Sequence, residues 1–350
     1  MSCLRGSGGH VSMTELNLSA NGIGNAGAMS ISDAIVSGKV MPALTSLIIS
    51  SNDIGDEGGS SLMLARVTTQ LKLLNIAHND LTDATSDKVA HALGLPESSL
   101  TSLNLSSNEF TAAAGKSLAL TLEHNVVLSH LDLSGNNLGN AGASAVAESL
   151  KRNRGLRTLN LQAASIGPSG AEVLGQLLQW NPRLEQLMLS YNNLGDEGAV
   201  ALSTSLRPES QSFERQYQSI RTLQLSGNGI GTTGADHLAS TLEVFTDSTL
   251  CSLDLGNNKF PYESVVLLGR AVRANATLQC VHVSASVMPA DRVRSLTLAM
   301  QGAEPEYEGV DHKKEALKYC AEPRSFSTEP ELEDGSVERH PDFDICSLRK

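Results

Sequence analysis

Apolar residues recur along this chain in one phrase, L-x-x-L-x-L-x-x-N-x-(I/L)-G-x-x-G-A, with polar residues between them. Its fullest copies are LSHLDLSGNNLGNAGA from Leu128 and LEQLMLSYNNLGDEGA from Leu184. The asparagine column reads Asn21, Asn52, Asn79, Asn108, Asn136, Ala164, Asn192, Asn228, Asn258 and Ser286, so ten units follow one another and eight carry the asparagine. Within a unit the pair before the asparagine, Leu131 and Leu133 for example, alternates with polar neighbours at period two. That predicts a short strand with one buried face. Ala143, Val146, Ala147 and Leu150 then fall at i, i+3, i+4 and i+7, which predicts a helix with one apolar face. Val265, Leu268 and Val272 repeat the pattern in the ninth unit.

A strand, a turn and a helix within about 28 residues cannot bury their own apolar faces, but stacked copies can. The predicted fold is therefore an α/β solenoid of about ten repeats, a horseshoe with parallel strands on the concave face and helices on the convex face. The asparagine stands where the strand ends and backbone groups lose their ladder partners. Its amide carries donors and an acceptor on one short stem and can satisfy them. Glycines such as Gly139 and Gly142 permit a tight turn and close backbone approach.

With this period and its I/L-G-x-x-G-A phrase, the stretch 13–301 resembles the ribonuclease-inhibitor-like class of leucine-rich-repeat proteins. The resemblance implies the horseshoe fold and a binding role. Ribonuclease inhibitor, Ran GTPase-activating proteins, innate-immune receptor arrays and ciliary regulatory-complex subunits belong to that class, so no single partner follows from it.

Four segments depart from the pattern. Residues 1–12 are a short N-terminal segment, and the first unit begins at Met13 with little before it to cap an apolar edge. Self-association or assembly packing through that edge is one expectation. The 36-residue interval between Asn192 and Asn228 holds extra polar sequence, Arg207 to Ser219, expected to be a surface loop. The tenth unit is worn, with Ser286 in the asparagine column, and a closing helix is expected from about Ala290 to Met300. Residues 302–350 form an acidic tail, with thirteen acids against seven bases from 303 onward and four of the eleven prolines. This composition predicts a largely disordered segment, with a short helix at His312–Tyr319 and a docking motif in PDFDICSLRK.

Charge and composition narrow the function. A net charge of −12 argues against nucleic acid as a partner, because a nucleic-acid binder needs a basic face, and suits a basic protein partner instead. No stretch is long and apolar enough for a membrane span. The five cysteines, Cys3, Cys251, Cys280, Cys320 and Cys346, lack metal-ligand spacing and read as thiols in a reducing, cytoplasmic setting, with association to cytoskeleton or cilium as one version of it.

Catalysis needs converging groups, and the strand face displays few. His130 and Asp132 lie on one face of one strand, with no nucleophile evident. Gly115-Lys116-Ser117 lacks the glycine that a phosphate loop needs at position 110, which is Phe110. The activity of Ran GTPase-activating proteins depends on an arginine at an early rim turn, and none of the rim turns here offers one. No cofactor, metal site or catalytic residue is expected. The expected function is a non-catalytic scaffold or adaptor that binds a protein through the concave face and an acidic rim. The alternatives are a small-GTPase regulator and a structural part of a cytoskeletal or ciliary assembly. The candidate contact residues are Met188, Tyr191, His130, Asp132 and Asp254 on the inner face, with Asp196 and Glu197 on the rim.

Overall fold

A computed structural model describes residues 12–68, 70–207, 219–245, 249–284 and 342–344. Ten three- to five-residue strands lie side by side in one sheet, in chain order and all parallel. They are β1 (Glu15–Asn17), β2 (Ser46–Ile48), β3 (Leu73–Asn75), β4 (Ser102–Asn104), β5 (His130–Asp132), β6 (Thr158–Asn160), β7 (Gln186–Met188), β8 (Thr222–Gln224), β9 (Ser252–Asp254) and β10 (Cys280–Ser284). Helices join them: α1 (Gly24–Ser37), α2 (Asp56–Leu62), α3 (Ala65–Thr68), α4 (Asp83–Gly94), α5 (Ala112–Leu122), α6 (Gly139–Leu150), α7 (Pro168–Trp180), α8 (Gly195–Ser205), α9 (Thr232–Val244) and α10 (Tyr262–Ala274). The second unit has two short helices where the others have one. Its run Gly58-Gly59-Ser60-Ser61 consists of poor helix formers, and α2 ends after Leu62.

The register is uniform. Leu16, Leu47, Leu74, Leu103, Leu131, Leu159, Leu187, Leu223, Leu253 and Val281 are successive partners across the sheet. From Leu47 onward this column is fully buried, and the helix residues Val146, Ala147, Leu150, Leu174, Leu238 and Leu268 close over it. Leu16 and Leu18 are half-buried, because the described chain places a neighbour on only one side of the first unit. Helices are wider than the spacing of about 4.8 Å between strands, so a stack with strands on one side and helices on the other must bend toward the strands.

The turn asparagines do what their position predicts. Asn136 Nδ2 donates to the carbonyls of Leu105 and Leu133, each at 3.0 Å, and its Oδ1 accepts from the Phe110 N–H. Asn52, Asn79, Asn192 and Asn258 repeat this between their own units. A second row was not anticipated. At the helix ends Asn125, Asn153, Asn181 and Asn275 are buried, and each donates to carbonyls of the preceding unit while accepting N–H groups two and three residues ahead. Its signature was present as N-x-x-L before Leu128, Leu156, Leu184 and Leu278.

Gly115, in the Gly-Lys-Ser triplet set aside above, sits inside α5 against α6. A Cβ there would come within 2.6 Å of Gly142 Cα, so its role is close helix packing. In the acidic tail Asp342–Asp344 form β11, antiparallel to β10, with His282 opposite Asp344 and Val283 opposite Phe343. The expected helices at 290–300 and 312–319, the rest of the tail, residues 1–11 and residues 208–218 of the long loop lie outside the described residues.

Candidate functional site

The strand residues that face away from the helices form the floor of a trough. Its central column is Asn17, Ile48, Asn75, Asn104, Asp132, Asn160, Met188, Gln224, Asp254 and His282, aligned by the same register. The asparagines and aspartates of this column hold themselves still. Asn17, Asn75, Asn104, Asp132, Asn160 and Asp254 each accept, through Oδ1, the backbone N–H two residues ahead. Side chains fixed in this way present a pre-oriented polar surface and lose little freedom on binding.

His130 and Asp132 share β5 but do not join. His130 Nδ1 lies 2.7 Å from Ser129 Oγ. Asp132 accepts from Ser134 Oγ at 2.6 Å through Oδ1 and from Asn160 Nδ2 at 3.1 Å through Oδ2. Both carboxylate oxygens are committed to other partners, and the hydroxyl beside the histidine, Ser129 Oγ, is itself engaged with the Thr101 carbonyl at 2.8 Å. Among the described residues no group of three or more His, Cys, Asp or Glu is arranged to hold a metal ion, and no helix is long and apolar enough to cross a membrane. A cleft of about 270 Å³ opens away from the trough, between the C-terminal ends of α4 and α5. Leu93, Pro96, Leu120 and Val127 line it, and His124 is its one ionisable group.

Met188 and Tyr191 make the apolar part of the trough. Met188 is half-buried between Asn160 and Gln224. Tyr191 follows three residues later, beyond the end of β7, and is 55 % exposed. It belongs to a column in which the chain turns through the left-handed region: Ala20, Ser51, His78, Ser107, Gly135, Ala163, Tyr191, Gly227 and Asn257. Small or short polar residues suit that turn. A tyrosine there, at φ 57°, costs about 1 kcal/mol or more in backbone strain. Its ring lies over Gly227, where a Cβ would meet Tyr191 Cδ1 at 2.7 Å, and its hydroxyl accepts from Asn257 Nδ2 at 3.4 Å. One side chain of the seventh unit thus crosses the eighth and touches the ninth. Ile48 and Leu73, on β2 and β3, form a second, half-buried apolar spot.

The rim acids have a reason of their own. Every helix begins at the same rim, where its free N–H groups and dipole favour negative charge, and Asp56, Glu57, Asp83, Asp196 and Glu197 stand in first turns. Asp196 Oδ1 accepts from the N–H groups of Gly231 and Gly234, at 2.7 and 2.9 Å, and so caps the helix of the next unit. Asn25 and Asn140 do the same at their positions. Asp56 accepts from Thr82 Oγ1 and Thr85 Oγ1 as well as from the Thr82 N–H. Partial burial pushes its carboxyl up, but the hydrogen bonds from Thr82 and Thr85 outweigh that and hold it below the usual carboxylate value. Glu197 is exposed, with its side chain unengaged. The opposite rim, where helices end, carries Lys151, Arg152, Arg154, Arg157 and Arg183, with ion pairs joining Arg152 to Glu123 and Arg157 to Glu185. The sequence pointed to the acidic rim alone; the basic one emerges because all the helices point the same way.

A family model described as Leucine Rich repeat matches the chain six times, at 10–32, 41–63, 98–119, 124–147, 181–203 and 218–239. No curated protein matches it. Among solved structures it is similar to a chain of the yeast Rad7 and Elc1 complex, at 16 % identity and a TM-score of 0.43, over 76 % of this chain and 68 % of that one. It is also similar to actin-binding site 2 of leiomodin-1, at 20 % identity and a TM-score of 0.32, over 53 % of this chain and 87 % of that one.

Proposed function

We propose that this leucine-rich-repeat protein is a non-catalytic scaffold that seats a partner protein in its trough. One observation carries the reading. Tyr191 remains more than half exposed at a backbone position that disfavours it. Glycine or asparagine would be the least strained residue there, and the part of the ring left open beyond its contacts with Gly227 and Asn257 is read as a contact for something outside the chain. Met188, on the preceding strand end, supplies adaptable apolar contact beside it. Asp254 lies two strands along the floor from Met188, and His130 and Asp132 two strands the other way, so the inner-face candidates span about 19 Å, four strand steps. That is the length of a short helix or an extended segment. The exposed acids of the rim, Glu197 among them, favour a partner with basic character through long-range attraction.

The test is affinity capture from lysate with the full chain and with Met188→Ala/Tyr191→Ala, both checked for folding by circular dichroism. Loss of specific partners in the double variant is expected; an unchanged set removes the trough from the account. Fractionation of the captured material distinguishes a cytoplasmic adaptor from a component of a cytoskeletal or ciliary assembly. Stimulation of a small GTPase is the weaker reading. It requires an arginine at a rim turn, and the described turns place Asn25, Asp56, Asp83, Asn140 and Asp196 there, each holding the start of the next helix.

A further inference from the structure

We propose that the rim at which the helices end carries a second docking surface, built on Trp180, Arg154 and Arg183, for an acidic partner segment that bears a bulky apolar side chain. The inference goes beyond the trough and does not depend on it. Buried asparagines set this surface. Asn153 Nδ2 donates to the Asn125 carbonyl at 2.7 Å and Asn181 Nδ2 to the Asn153 carbonyl at 3.2 Å, so the fourth, fifth and sixth units lie in step here. The residues on either side of each asparagine therefore form rows across the units: His124, Arg152 and Trp180 before it, Val126, Arg154 and Pro182 after it. Two contacts show how closely the rows lie. Arg154 Nη1 donates at 3.1 Å to the same Asn153 carbonyl that receives Asn181, so its guanidinium stands beside the residue that follows Trp180. On the other side, a Cβ on Gly155 would meet the Val126 backbone at 2.8 Å, so Val126 abuts the loop that carries Arg154.

The patch is apolar and basic together. Trp180, Leu120, Val126 and Val127 are four of the eight large hydrophobic side chains exposed among the described residues, so half of that set gathers on three neighbouring units. The cleft between the ends of α4 and α5 opens on the same patch and is lined in part by Leu120, Val126 and Val127. The acids of these units are spent: Glu123 pairs with Arg152, Glu148 with Lys151 and Glu185 with Arg157. Glu97 lies beyond the cleft, on the loop after α4. Arg154 and Arg183 have no acidic partner among the described residues, although the chain as a whole carries a charge of −12. A carboxylate accepts both N–H groups from one edge of a guanidinium, and an open indole beside an apolar cleft buries area well. An acidic segment with one large apolar anchor meets both demands. Two unpaired arginines are too few for an anionic bilayer or a nucleic-acid strand, which draw on clusters of about four or more.

The test is fluorescence anisotropy with the full chain and a short labelled peptide, free of tryptophan, in which aspartate and glutamate flank leucine and phenylalanine. The parent should bind it. Its tryptophan emission comes from Trp180 alone and should shift to the blue as the indole loses water. Peptides with the acids changed to asparagine and glutamine, or with leucine and phenylalanine changed to serine, should bind about tenfold more weakly. Trp180→Ala and Arg154→Gln/Arg183→Gln should each weaken binding about tenfold, whereas Met188→Ala/Tyr191→Ala in the trough should bind as the parent does. Arg183→Gln alone guards against misfolding, because that side chain has no partner to lose among the described residues. Its thermal unfolding should match the parent's while its affinity falls about threefold. Absence of peptide binding overturns the proposal, and so does equal binding by the parent and the rim variants. A tryptophan shift produced by phosphatidylserine vesicles or by a single-stranded oligonucleotide, but not by the peptide, overturns it as well.

Discussion

Asn153 donates from Nδ2 to the backbone carbonyl of Asn125, 2.7 Å away, and Asn125 is its own counterpart one unit earlier. The same amide donates to the Leu122 carbonyl and accepts from the N–H groups of Gly155 and Leu156. Four backbone groups at a buried helix end therefore depend on one side chain. Asn153→Ala should destabilise the fold by about 3 kcal/mol or more, because the carbonyls and N–H groups lose their partners without gaining water. Asn153→Asp should also destabilise it, since it keeps the acceptor and loses both donors. Urea unfolding of the two variants checks this; midpoints equal to the parent's would show that the row is dispensable.

Gly115→Ala tests the contact between α5 and α6. In an isolated helix the change stabilises by about 1 kcal/mol. Here the added methyl meets the Gly142 backbone at 2.6 to 2.9 Å, which cannot rotate out of the way. Destabilisation by about 2 kcal/mol is expected from the forced separation of the helices. A gain in melting temperature would mean that the helices have room to part.

Ala163 is exposed and sits at φ 49° in the left-handed column. Ala163→Gly should raise stability by about 1 kcal/mol, since glycine adopts that conformation without the Cβ clash. The sign is opposite to the usual effect of removing a methyl group, so thermal unfolding gives a clear answer.

Asp56 and Asp196 hold equivalent places but face different donors. Asp196 receives backbone N–H groups at its Oδ1, as Asn140 does in its own unit, so Asp196→Asn should change stability by less than about 0.5 kcal/mol. That makes it a clean probe of charge at the rim. Asp56 receives two threonine hydroxyls as well, and Asp56→Asn would set an NH₂ against one of them, at roughly 1 kcal/mol or more. The sign of the pH dependence follows. The carboxyl of Asp56 is depressed in the folded state, so its contribution is complete above the ordinary aspartate value of about 3.9 and is lost as pH falls through the lower folded value. Parent and Asp56→Asn should therefore converge in stability on acidification below that value; a constant gap between them would remove Asp56 from the acid response.

Much of this molecule was legible from its amino acids alone. The leucine columns at Leu131 and Leu133, the turn asparagines and the helix stripe through Val146 and Leu150 are local patterns, and local patterns dictate a repeating strand–turn–helix that must stack to bury its faces. The same period put Met188, Asp132 and Asp254 on the floor of the trough, and the register sets Met188 between Asn160 and Gln224. What side chains do between units was not legible in this way. That Asp196 caps a helix starting at Thr232, that Asp132 binds Asn160, that the bases collect on the rim opposite the acids, and that Tyr191 lies on Gly227 and meets Asn257 all depend on residues about 28 to 66 positions apart being brought side by side. The period specifies which positions become neighbours, but the rotamer each side chain adopts is settled by what the neighbouring copy leaves open, such as the space that the missing Cβ of Gly227 provides for an aromatic ring.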